Sequence, residues 1–291
     1  MDMVDHPPAS AAGAPFSLVG PREPLRPVII SVPHAGRHYP PHLLGEARVP
    51  LSVLERLEDR HADVLASAAA AAGFTVVIAN HARALIDLNR GEEEWDSQLV
   101  SDARPPVAPN QRVRAGLGLV PVRLHPHGEL WRQRIAAAEL DRRLAAVHRP
   151  WHATVTDLLA SARQRFGRAI LFDLHSMPTQ SGGTPQMVIG DRYGLTASSR
   201  LVESLLALGE GEGLSVARNS PYAGAHGIQR HGRPAAGVEA IQIEFDRALY
   251  LGADQRPEPA GTRRIGALVL AMARLAAQEM DGTEGWPAAA E

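Results

Sequence analysis

Cysteine and lysine are both absent from the 291 residues, so all 30 basic side chains are arginines. Without cysteine there is no disulfide framework, thiolate nucleophile or Cys-ligated metal, which fits a reducing, cytoplasmic setting. Without lysine there is no Schiff-base amine, no Walker-type Gly-Lys-Ser/Thr loop and no Ser-x-x-Lys nucleophile. The Gly-x-Ser-x-Gly elbow and the His-Glu-x-x-His zinc helix are missing too. A formal net charge of -2 gives no electrostatic reason to expect nucleic acid or an acidic membrane surface. The first twenty residues lack the basic start and apolar core of a signal peptide, and the alanine-rich run Ala66 to Ala72 is far too short to span a bilayer. What remains for hydrolytic chemistry is histidine, aspartate, glutamate and arginine, and 45% hydrophobic residues suffice for a sizeable core.

The most informative stretch is Ala169 to Pro178, where an apolar run gives way to Asp173, His175 and Ser176. It reads as a buried central strand closed by Pro178, and alternation puts Asp173 and His175 on one face at its carboxyl end. In open α/β sheets that edge is where ligands bind. The bland alternative is a pair of polar residues capping a neighbouring loop.

Other segments fall around this strand. Residues 1–25 read as a Pro/Ala-rich tail, 26–281 as one catalytic α/β domain and 282–291 as a second tail. Val28 to Val32 is a strand that ends at Pro33, leaving His34 just past its carboxyl edge. Pro50 to Ala72 reads as a helix with Glu55, Asp59 and Asp63 at i, i+4 and i+8. Phe74 to Ala79 and Ala82 to Leu88 read as strands, the second leading to Asn89 and Arg90, a fork of donors suited to a carboxylate. The long connection from Gly91 to Pro126, containing His125 and His127, reads as a lid or pocket wall. Glu129 to Phe166 reads as a helical stretch interrupted at Pro150, either a helical pair or a kinked helix. Pro221 to Gly232 reads as a glycine-punctuated loop carrying His226, Arg230 and His231. Val238 to Phe245 is a strand whose Glu244 is costly to bury unless paired or placed for chemistry, and Thr262 to Met280 is a closing helix.

The strand-end residues therefore comprise His34, Asn89 with Arg90, His175 and Glu244, with a helical Asp59 nearby. Two imidazoles and a carboxylate form a protein ligand set for one catalytic divalent ion, leaving a position for water. Other divalent ions accept the same donors.

With these pieces in order, the chain resembles the N-formylglutamate amidohydrolase family. The resemblance rests on Pro33-His34-Ala35-Gly36, Glu58-Asp59-x-His61, Asp87-Leu88-Asn89-Arg90, Asp173-Leu174-His175-Ser176, the His226 to His231 segment and Ile241-Gln242-Ile243-Glu244 before Leu249-Tyr250, spanning most of residues 28 to 251. It implies a three-layer α/β/α fold with a central mixed, mostly parallel sheet (phosphorylase/hydrolase-like), distantly akin to zinc carboxypeptidases and aspartoacylases. It implies His34 and His175 as ligands of one divalent ion, Zn2+ by expectation, Glu244 as general base, and Asn89 and Arg90 as holders of a substrate carboxylate. The wider group draws two ligands from His-x-x-Glu, whereas Arg37 stands three residues after His34. Asp59 is the candidate for the missing carboxylate, with Glu58 and Asp63 as alternatives. His226 and Arg230 are candidates for oxyanion stabilisation, and His231, Arg230 and Arg233 for substrate binding.

The expected activity is release of formate from N-formyl-L-glutamate, a cytoplasmic step of histidine degradation on a small N-acyl amino acid. Two alternatives are another N-acyl amino acid or small peptide at the same centre, and a non-catalytic ligand-binding protein on this fold.

Overall fold

The apolar runs pair into a seven-stranded sheet in the computed structural model, which describes residues 13–102, 110–179 and 185–281. Its strands are β1 (Phe16–Val19), β2 (Val28–Val32), β3 (Thr75–Ala79), β4 (Ala169–Met177), β5 (Met187–Gly190), β6 (Val216–Arg218) and β7 (Val238–Asp246). They lie in the order β1-β3-β2-β4-β7-β5-β6. β3, β2, β4 and β7 run parallel, β5 and β6 pair parallel to each other, and β1 and β5 join their neighbours antiparallel. The sheet is thus mixed and mostly parallel, as expected from the resemblance.

Alternation along the strands assigns the two faces. Ile170, Phe172 and Leu174 of β4 and Ile241, Ile243 and Phe245 of β7 pack with Leu201 and Leu205 of α3 (Ser199–Gly211) and with Leu268 and Met272 of α5 (Pro259–Asp281). The opposite face is apolar at Ala169, Leu171 and Ala240 and is covered by α1 (Ala137–Arg143) and α2 (Arg149–Phe166), through Leu140, Trp151, Val155 and Leu159. Continuing that second row toward the carboxyl ends, the side chains become polar: Asp173 and His175 on β4, Gln242 and Glu244 on β7. All nine residues of β4 are buried, so these polar groups enter the interior and need partners.

Several local expectations are corrected. Phe16–Val19, read as tail, is an edge strand on β3, and the remainder of both tails lies largely outside the described residues. Ala82 to Leu88 is not a strand: its amides turn back to His38, Ala82 and Leu119 rather than joining the sheet ladder. Residues 50–72 are not one helix, because Glu58 is extended and His61 adopts a left-handed φ of 57° between short helical turns. Pro150 does not separate two helices. It has no N–H to donate, and the preceding residues Leu144–His148 widen into a π turn that joins α1 to α2. Within Pro221 to Gly232, residues His226–His231 form a short helix, α4. No helix among the described residues is long and apolar enough to cross a membrane.

Candidate metal centre

Parallel register sets the first two elements of the site. β4 lies between β2 and β7, and His175 is directly opposite Glu244. His34 follows β2 on the other side, and its ring centroid is 4.7 Å from that of His175. Asp59 arrives from the break between helical turns, where its backbone N–H donates to the His34 carbonyl at 3.0 Å. That break matters because the expected helix would have stacked Asp59 with Glu55 and Asp63 instead. One ligand atom from each of His34, Asp59 and His175 lies within 4.8 Å of the others, and all three residues are buried.

Each imidazole is oriented by a second carboxylate. His34 Nε2 donates to Asp87 Oδ1 at 2.7 Å, and His175 Nε2 to Asp173 Oδ2 at 3.2 Å. Both Nδ1 atoms then face Asp59 Oδ2, at 3.5 Å from His34 and 2.9 Å from His175. Carboxylates behind imidazoles are the usual outer partners of metal-bound histidine, fixing tautomer and ring angle. Burial alone would lower the pKa of His175, but Asp173 and Asp59 raise it well above the ordinary value. Burial likewise opposes ionisation of Asp87, which Arg83 and Arg90 nevertheless hold well below the usual carboxylate range. The protonated Nδ1 edge of His175 against Asp59 is where a cation could take the proton's place, so the donor set fits a divalent ion.

The alternatives to Asp59 are engaged elsewhere. Asp63 forms a two-bond fork with Arg37, at 2.9 Å for each bond. Glu58 is fully buried, bonded by Tyr39 and Arg60, and burial pushes its carboxyl up to about 7. Arg247 holds the Asp59 segment in place, donating to Asp59 Oδ1 at 3.1 Å, the Glu58 carbonyl at 2.6 Å and Ser176 Oγ at 3.0 Å.

Glu244 is 7% exposed, and burial pushes its carboxyl up to about 7 against the lowering influence of His175. Gln242 Nε2 donates to Glu244 Oε1 at 2.8 Å, while Gln242 Oε1 accepts from Asn89 Nδ2 and the Ala225 amide. Asn89 in turn accepts from the Gly227 amide at 2.7 Å. Glycine is needed there, since a Cβ at 227 would sit 2.6 Å from Asp173 Oδ2. Arg90 is buried, with Nε on the Leu117 carbonyl at 2.8 Å and Nη1 on the Asn89 carbonyl at 2.7 Å, so it ties the 91–126 connection to the site.

The remaining candidates lie elsewhere around the centre. Arg230 and Arg233 are exposed, and Arg233 bonds the Gln229 and Gly232 carbonyls at the end of α4. His226 and His231 are gathered with His148 and His152 in a second cluster. His125 and His127 are exposed, with His125 on the wall of a cleft of about 860 Å³. Arg56, Arg60, Thr179 and Arg247 also line that cleft, which lies beside the centre through the Arg247 to Asp59 contact.

Sequence reading passed over Asp87, Gln242, Arg247, His148 and His152. Asp87 and Asp173 stand two residues before Asn89 and His175, which was the available signal for the first. His148-Arg-Pro-Trp-His152 has the i, i+4 spacing that places two imidazoles on one helical face.

Fold and geometry thus define an α/β protein with a buried His-carboxylate-His centre at the carboxyl edge of its sheet, beside a raised-pKa glutamate. A sequence profile of the N-formylglutamate amidohydrolase family matches residues 26–251, and the chain belongs to that family. It is 30% identical to an N-formylglutamate deformylase of Pseudomonas aeruginosa over 237 residues, covering 77% of this chain and 82% of the relative. The same identity and coverage hold for an N-formylglutamate deformylase of Pseudomonas putida. The crystal structure of N-formylglutamate amidohydrolase from Ralstonia eutropha superimposes with a TM-score of 0.83 at 31% identity, covering 91% of this chain and 99% of that one.

Proposed function

We propose that this chain is a metal-dependent amidohydrolase that converts N-formyl-L-glutamate and water to formate and L-glutamate in the cytoplasm, as a step of histidine degradation. The observation that carries the reading is the convergence of His34, Asp59 and His175 beside Glu244, in a chain whose relatives are named for this reaction. His34 and His175 would hold one divalent ion, zinc by preference, through Nδ1, and Asp59 through its carboxylate. Bound there, the ion would lower the pKa of a water and polarise the scissile carbonyl.

The chain's own groups supply the rest. Glu244 accepts the proton from the attacking water and returns it to the leaving nitrogen, a role suited to a carboxyl raised to about 7. Gln242 fixes one carboxylate oxygen of Glu244, so the other is free to face the reacting water. Asn89 and Arg90 hold the substrate's α-carboxylate. The second carboxylate of glutamate needs a further cation, for which Arg230, Arg233 and the cleft residue Arg56 are candidates, with His226 and His231 as further polar groups for the substrate. Because two donors of Arg90 already bond carbonyls, Arg90→Lys loses both the fork and the loop tether. Its expected effect is a KM at least about 10-fold higher, from the loss of a charge-assisted bond. Steady-state kinetics check this, and an unchanged KM would show that the carboxylate binds elsewhere.

Acyl selectivity separates this substrate from other N-acyl amino acids. Product release from N-formyl-, N-acetyl- and longer N-acyl-L-glutamate should show the formyl compound with the highest kcat/KM. A preference for acetyl or longer groups would move the substrate while keeping the centre.

A further inference from the structure

The second histidine cluster has the donor chemistry of an ion site of its own. His148 Nε2 donates to the Arg90 carbonyl at 2.8 Å, so its Nδ1 presents a lone pair, and that nitrogen has no hydrogen-bond partner among the described residues. His152 Nδ1 bonds His231 Nε2 at 2.9 Å, leaving its buried Nε2 without a partner as well. His226 Nε2 is a third buried nitrogen in the same condition. One ring nitrogen from each residue lies within 4.8 Å of the others, and His148 and His152 are wholly inaccessible to solvent.

Three ring nitrogens on neighbouring histidines are buried polar atoms without a hydrogen-bond partner, and a cation shared among them, each presenting its lone pair, satisfies all three at once. Outer partners are present, since the Arg90 carbonyl and His231 fix the rings of His148 and His152 as carbonyls and side chains do around known metal-bound histidines. Backbone geometry agrees. The π turn Leu144–His148 widens the helix just before His152, and such turns concentrate at functional sites. Arg230 is the cation that opposes an ion here, while Glu92 faces His148 and Glu93 and Glu94 face His226 with the opposite sign.

We propose that His148, His152 and His226 bind a second divalent transition-metal ion, through three imidazoles and outside the His34–Asp59–His175 centre. Imidazole-only sets suit zinc, copper and nickel. In a tetrahedral zinc site, Zn–N distances of about 2.05 Å put nitrogens roughly 3.3 Å apart, and one ring nitrogen from each residue already lies within 4.8 Å of the others, so side-chain shifts of about 1.5 Å or less bring them together. The ion would join α2 to α4 across the Asn89–Arg90 segment, bracing the substrate side of the first centre.

Zinc counting tests this. Metal-free protein is dialysed against zinc, unbound ion is removed, and the metal per folded chain is measured beside far-UV circular dichroism. Wild type should hold two ions. His148→Asn and His226→Asn should each hold one, and a His34→Asn/His175→Asn double variant should also hold one. His226 is partly exposed, so its variant keeps the test available if His148→Asn does not fold. No ion in the His34→Asn/His175→Asn variant, or a count in His226→Asn equal to that of wild type, would overturn the second site. Loss of the ion from the first centre alone is read in the double variant, so the two assignments fail separately.

Discussion

Glu244→Gln should lower kcat by about 10²- to 10⁴-fold, the usual contribution of a placed general base, while the bound metal and the fold are retained. Glutamine keeps the size of the side chain and the contact to Gln242 but cannot take a proton from water. The pH profile gives the same residue a second readout. Burial pushes the Glu244 carboxyl up to about 7, and the protonated acid cannot act as a base, so kcat/KM should fall as pH drops through a limb at or below about 7. A bound cation next to Glu244 would favour the ionised form and move that limb downward, never upward. The limb should disappear from the residual activity of Glu244→Gln. Full turnover in that variant would remove Glu244 from the mechanism.

Asp59→Asn should weaken metal affinity by more than about 100-fold, the upper end of what losing an outer-shell partner costs, because here the charged donor itself is lost. Glu58→Gln and Asp63→Asn should keep full metal stoichiometry. Glu58 is committed to Tyr39 and Arg60, and Asp63 to the Arg37 fork, so neither faces the two imidazoles. Competition with a chromophoric chelator measures all three variants. An Asp59→Asn protein with wild-type affinity, or an affinity lost in Glu58→Gln, would transfer the carboxylate ligand to another residue.

His34, His175 and Glu244 were legible from short-range pattern alone. Each stands at or just past the end of an apolar run, and a period of two states which neighbours share its face. The mixed, mostly parallel sheet was what the family resemblance implied. Asp59 was reached by comparison of motifs rather than by local structure, since helical periodicity through residues 50–72 placed it on a continuous face that the left-handed His61 interrupts. Position 61 carries no glycine to announce such a turn. Gln242 and Asp87 take their roles from partners 153 and 53 residues away, Asn89 and His34, and no spacing within one segment encodes that pairing. Arg247 likewise reaches Asp59 across 188 residues. The His148 to His152 spacing was present in the sequence, but its meeting with His226 depends on how α2 packs beside α4.

The most direct test of the account removes the metal from the wild-type protein with a chelator, restores zinc in slight excess over two equivalents and follows formate release from N-formyl-L-glutamate at each stage. The account predicts that formate and glutamate appear in equal amounts, stop on chelation and return with zinc, and that a His34→Asn/His175→Asn protein stays inactive after the same treatment. Undiminished formate release from fully chelated protein, or from that double variant, would contradict it.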